Sequence, residues 1–292
     1  MSNQALPLTR RHLLRRAMGA TFGASLLGGS REAPAAPTRS SLVVLVRQKD
    51  LLDASHKVNG PALRQVLTQA LTRVTGQANI KAAWRSFLDV KDIVGLVPTD
   101  HLNKTHDELV ELVQSTLVEA GLPADNIRIA QGSSNQVRAC TALIALPALK
   151  AHWLTGIGTI LKNYITFSGH PSDYHDADSA KLGEIWTMPH VKGKTRLVLV
   201  DALRPLCDKG PQADPRYLWD YNGLIAGRDP VAVETISVQV ILKKREALRG
   251  TPWPLSPPPL CVEMADRTYG LGTSRLDEIR LERLGWTDGA LV

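Results

Sequence analysis

The stretch Thr195–Leu203, "TRLVLVDAL", is an unbroken apolar run that ends on an aspartate. Alternating apolar and polar residues would mark a strand with one face in water. An unbroken run means that both faces are covered, as in a parallel sheet flanked by helices. Ser41–Arg47 "SLVVLVR", Asp92–Pro98 "DIVGLVP", Asn126–Ala130 "NIRIA" and Thr141–Pro147 "TALIALP" read as further strands. Helical spacing lies between them. Leu63, Val66, Leu67, Ala70, Leu71 and Val74 recur at three- and four-residue steps and stop at Gly76. Leu109, Leu112, Val113, Leu117 and Ala120 do the same before Gly121, behind a capping box predicted at Thr105–Glu108. Asp229-Pro230 predicts the start of a long helix that ends on Lys243, Lys244 and Arg245, where the helix dipole favours cations. A Pro-rich loop, Pro252–Pro259, and a last short helix follow. The expected fold class is α/β, with a mostly parallel sheet flanked by helices in a single large domain over residues 42–292.

The N-terminus has a different character. Arg10 and Arg11 follow Thr9 and precede Leu13 and Leu14; an uncharged, mildly apolar run extends from Ala17 to Ser30, and Ala33-Pro34-Ala35 is a small-x-small cleavage pattern. Residues 1–35 read as a twin-arginine signal peptide and residues 36–41 as a linker. The expected location is periplasmic or extracytoplasmic, with the twin-arginine export machinery as a partner. The apolar run is shorter than the roughly 20 residues a membrane span needs, so an integral membrane protein is not expected. Five arginines against Glu32 give this segment a net charge of +4 out of the chain's +7, which leaves +3 for the rest. Most of the basicity therefore sits in the leader, and nucleic acid is not an expected partner. Cys140, Cys207 and Cys261 match no zinc or iron–sulfur spacing, so no iron–sulfur cluster is expected. In an oxidising compartment one pair could form a disulfide, and the sequence does not choose which.

In parallel α/β sheets ligands sit beyond the carboxyl ends of strands. Three segments are expected there: the one after Leu146, the one after Val200 and the turn "AGRDP" (Ala226–Pro230). No Asp or Glu occurs between Asp125 and Asp173, so Lys150 and Lys162 have no acidic neighbour in sequence. A cation in an apolar setting costs free energy unless an anion or a cluster of carbonyls meets it. The candidate catalytic residues are Lys150, His152, Lys162 and Asp201. Gly156, Gly158, Asn163 and Asp229 are the candidate ligand-binding residues, the two glycines because they let backbone approach an anion closely. Gly156 and Gly158 equally suit an ordinary turn, and Asp229 an ordinary helix cap. His152, His170 and His175, beside several aspartates, offer the donors of a divalent metal site, although a solvated loop has the same composition. No G-x-S-x-G nucleophile motif is present.

The blocks "LPALKAHWLTGIGTILKNYI", "LVLVDALRPLCDKGPQ" and "GLIAGRDPVAVETI" resemble, in order and spacing, the uncharacterised bacterial and archaeal family called domain of unknown function 362, over about Val90–Gly272. The resemblance implies an α/β fold and supports a site made of Lys150, His152, Lys162, Asn163 and Asp201. It brings no reaction. Where the family's D-P-V-A segment is usually followed by Asp, this chain has Glu234. The functional expectation is an exported protein that binds a small anionic molecule or a metal in a Lys/His/Asp pocket, as a redox-associated enzyme. The alternative is a non-catalytic binding or delivery module.

Overall fold

The five runs form strands; in all but the edge strand β3, β-branched and leucine side chains fill both faces of the pleat. They are β1 (Ser41–Arg47), β2 (Val94–Pro98), β3 (Ile127–Ile129), β4 (Ala142–Leu146) and β7 (Thr195–Leu206) in the computed structural model. It describes residues 40–292; the signal-peptide reading and most of the linker fall outside the described residues. Four further strands are present. β5 (Ala148–His152) and β6 (Gly156–Ile157) form a small hairpin, and β8 (Gly223–Gly227) and β9 (Ile279–Gly285) complete the sheet. The order is β3-β2-β4-β7-β8-β1-β9, with β5 also paired to β7.

Each covered strand sorts its residues by parity. In β1, Val44 and Val46 face a layer built from helices α1 (Gly60–Thr75), α2 (Ile80–Arg85) and α3 (Asp107–Glu119), centred on Leu67, Trp84 and Leu117. Val43 and Leu45 face the other layer, where α7 (Pro230–Arg249) packs with the shorter helices α5 (Ile160–Asn163), α6 (Leu182–Thr187) and α8 (Leu260–Arg267). A fourth short helix, α4 (Ser134–Arg138), follows β3. Gly76 ends α1 in the left-handed conformation, at φ 70°. Cys140, Cys207 and Cys261 are buried and unpaired, so the disulfide considered from sequence is absent among the described residues.

Two expectations change. The sheet is parallel at β2–β3, β2–β4, β4–β7, β5–β7 and β1–β9, but β8 runs antiparallel to both β7 and β1. Gly227 pairs with Val198 and Gly223 with Ala202, so the end of β8 lies beside the beginning of β7. The turn carrying Asp229 is therefore at the opposite edge of the sheet from Asp201, and only two of the three expected segments meet. Asp229 caps α7 instead: Oδ1 accepts the N–H groups of Val231 and Ala232 at 2.9 Å each. Its Oδ2 accepts from Ser41 Oγ at 2.6 Å and from Thr273 N at 3.0 Å. The capping box at Thr105–Glu108 does not form, because both Thr105 and its neighbour have other partners. Thr105 Oγ1 donates to Leu146 O at 2.5 Å and accepts from Thr99 N at 2.9 Å. The cap position falls to His106, without a side-chain cap bond.

Asp229 joins the first strand, the longest helix and the C-terminal segment through one carboxylate. Asp229→Ala is expected to lower stability by about 2–3 kcal/mol, the loss of a helix cap and two further hydrogen bonds. Urea unfolding followed by circular dichroism measures it; a change below about 0.5 kcal/mol, the usual scale of a neutral surface substitution, would contradict the assignment.

Candidate functional site

Pro147 breaks the chain between β4 and β5, yet both strands run parallel to the 12-residue β7. Ala145 pairs with Val198 and Ala148 with Asp201, and the Asp201 N–H donates to Pro147 O at 2.8 Å. β5 thus carries Lys150 and His152 past the end of the main sheet. The hairpin brings Gly158 back, and α5 then supplies Lys162 and Asn163. These five residues line one cavity of about 90 Å³, together with Thr99, Asp100 and Gln131. A single water needs about 10–15 Å³ of such space, so the cavity suits a small ligand.

The two lysines are held differently. Lys150 is 4% exposed, and its Nζ donates to the carbonyls of Leu102 (2.8 Å) and Asn103 (3.2 Å). Both residues adopt the left-handed backbone region, φ 50° and 61°, in the loop after β2. Lys162 has an imidazole partner, with Nζ 2.6 Å from His175 Nε2. Neither lysine is hydrogen-bonded to a carboxylate among the described residues. Burial lowers the Lys150 pKa to about 8; the nearby Asp100 charge opposes this and the Lys162 charge adds to it. Burial likewise brings Lys162 to about 8.

His152 is a neutral imidazole. Burial, then the charges of Lys162, His175 and Lys150, lower its pKa to about 3. Its Nδ1 accepts the Leu154 N–H at 3.0 Å, which leaves the proton on Nε2. Its ring also packs on Gly158, where an added Cβ would lie 3.0 Å from His152 Cβ. Asn163 ties the site to the sheet: Nδ2 donates to Val97 O at 2.8 Å, and Oδ1 accepts from Thr99 Oγ1 at 2.9 Å. The same Thr99 oxygen accepts the Ala148 N–H at 3.1 Å.

Five expected residues, Asp201, Asp229, Gly156, His170 and His175, do not line the cavity. Asp201 is buried beside it but serves His106, accepting both its N–H and its Nδ1 at 2.7 Å while Oδ1 takes the Leu203 N–H. Burial alone would lower the His106 pKa, but the Asp201 charge and hydrogen bond outweigh it and hold the imidazole above its ordinary value. Asp229 lies at the far edge, as described. Gly156, at φ +73°, sits against the Pro-rich loop, where an added Cβ would come within 2.5 Å of Pro257 O. His170 is exposed. The metal set of His152, His170 and His175 is accordingly not assembled: no three His, Cys, Asp or Glu side chains are grouped for a metal among the described residues. His175 instead backs Lys162.

One residue of the site carries no recognisable motif. Glu234 is fully buried on α7, and its Oε2 accepts the N–H groups of Ile160 (2.6 Å) and Leu161 (3.1 Å), the first turn of the helix that carries Lys162 and Asn163. Oε1 has no partner. Burial raises its pKa to about 8, against the lowering effect of the two backbone bonds. The sequence signal was a carboxylate inside an otherwise apolar helix face, Val231 to Ile236.

Residues 90–239, running from before β2 into α7, match the family described as "Domain of unknown function (DUF362)". The chain belongs to that family. The matched segment contains Lys150, His152, Lys162, Asn163, Asp201 and Glu234, so the whole cavity lies in the part shared with the family. No curated protein and no solved structure matches the chain. No helix among the described residues is long and apolar enough to cross a membrane.

Glu234 has a folded pKa above its unfolded one, so its stabilising contribution is complete below the unfolded value and is lost as pH rises toward about 8. Glu234→Gln, which keeps the acceptor but cannot ionise, is expected to remove this decline, worth a few kcal/mol at about 1.4 kcal/mol per unit. Thermal melts of both proteins at pH 5 and 8 measure it. Parallel pH dependence would show that Glu234 does not titrate in the fold.

Proposed function

We propose that the chain is an exported protein that binds a small anion, a carboxylate or an oxyanion of similar size, between Lys150 and Lys162. One observation carries this reading: buried Lys150 and half-buried Lys162 line one small cavity, and neither is hydrogen-bonded to a carboxylate among the described residues. Desolvating an ammonium is costly, and the carbonyls and imidazole that meet these two bring no counter-charge, so that the nearby Asp100 offsets only part of their positive charge. An anion in the cavity would cancel it. The His152 Nε2–H, unpaired among the described residues, would donate to the same ligand, with Asn163 and Thr99 holding the wall. Asp201 belongs to the support, because it orders the start of α3 through His106. Export rests on the arginine pair and cleavage pattern of residues 1–35, and translocation in the folded state suits a protein whose site is assembled from distant segments.

Anion binding favours charged lysines, so affinity should be greatest below about pH 8 and fall above it, by up to about tenfold per unit for each lysine that must take up a proton. Isothermal titration with acetate, phosphate and sulfate from pH 6 to 9 measures this. Lys150→Met and Lys162→Ala should each abolish measurable binding while circular dichroism is preserved. Binding unchanged in both variants, or absent from the wild type for all three anions, would sink the proposal.

A further inference from the structure

The two lysines are not equivalent in their contacts. Lys150 is pinned by two carbonyl oxygens, which accept hydrogen bonds but cannot take a proton at neutral pH. That arrangement suits a fixed cation. Lys162 Nζ instead touches a nitrogen base, His175 Nε2, at 2.6 Å, and lines the same cavity. An amine desolvated in a pocket, beside a second cation and within hydrogen-bond reach of a general base, is the arrangement that activates a lysine as a nucleophile toward carbonyl compounds. We propose that Lys162 forms an imine with a small 2-oxo acid whose carboxylate is held by Lys150, with His175 relaying the proton. This rests on the anion reading above and names its substrate class.

The step balances without a co-reactant. His175 Nε2 takes a proton from the Lys162 ammonium, and the freed Nζ lone pair attacks the ketone carbon. A C–N bond forms while the C=O π pair moves to oxygen. One nitrogen proton then passes to the alkoxide oxygen, giving a neutral carbinolamine, and the hydroxyl, protonated by His175, leaves as water while the nitrogen lone pair forms the C=N bond. The products are a protonated imine, one water and a neutral His175, with no change of oxidation state. The lowered pKa of Lys162 leaves a usable fraction of free amine at neutral pH. Burial, with the Lys162 charge, also lowers the His175 pKa, which keeps it the neutral acceptor. The cavity of about 90 Å³ limits the substrate to short oxo acids.

The test is reductive trapping. The full chain is incubated with pyruvate or glyoxylate, treated with borohydride, and analysed by intact mass and peptide mapping. One adduct per chain, located on Lys162 and lost in Lys162→Arg with the fold preserved by circular dichroism, supports the proposal. His175→Phe should slow trapping on the order of a hundredfold, the scale of general-base assistance. An adduct absent from Lys162, or scattered over surface lysines and unaffected by Lys162→Arg, overturns it. Acetate and phosphate titrations on the same wild-type sample separate the two readings. Anion binding without trapping removes the imine and leaves the anion site, and no binding of any of them removes both.

Discussion

Everything at this site depends on holding two ammonium groups, one buried and one half-buried, without hydrogen-bonding either to a carboxylate. A buried salt bridge would have neutralised them and closed the space. The chain offers weaker partners: two backbone carbonyls for Lys150, and an imidazole for Lys162. Supplying those carbonyls forces Leu102 and Asn103 into the left-handed region, a small strain at each residue. The cost is localised in the loop after β2, and the pairing of β5 with β7 also shifts register between Ala148 and Lys150.

The surrounding hydrogen bonds explain why the arrangement holds. Thr99 Oγ1 connects the end of β2 to Asn163 on α5 and to the first residue of β5. Glu234 clamps the start of α5 from the neighbouring helix α7 in the same layer. Asp201, on β7, fixes the N-terminal end of α3. Three elements that carry no ligand-facing group therefore set the positions of those that do. A carboxyl such as Glu234, kept neutral by burial, accepts hydrogen bonds without adding an anion that would satisfy the lysines.

Much of the fold was legible because its strands are apolar runs, whose residue types and lengths survive without knowledge of neighbours. β1, β2, β4 and β7 were readable for that reason, as were the end of α1 and the start of α7, although α7 runs past the expected Lys243–Arg245 to Arg249. β5 was not, because "ALKAH" is short and carries a lysine and a histidine that packing, not periodicity, buries. The direction of β8 was not legible either, since strand polarity is decided by which neighbour it joins. That single unknown moved Asp229 from the site to the far edge. Lys150, His152, Lys162, Asn163 and Gly158 could be found because they cluster after one strand in an acid-free segment. His175 was legible as a residue but not as the partner of Lys162, and Glu234 hides within a helix face whose pattern it interrupts only once.

The hairpin that carries His152 leans on Pro257, Pro258 and Pro259, with the backbone of Gly156 pressed against them. Proline has little conformational freedom to lose when a chain becomes ordered. A wall made of such residues behaves as a stiff brace with few alternative shapes. His152, in that hairpin, should then keep its place in the cavity wall whatever guest enters, so that fit is decided by the guest's size and not by movement of the ring.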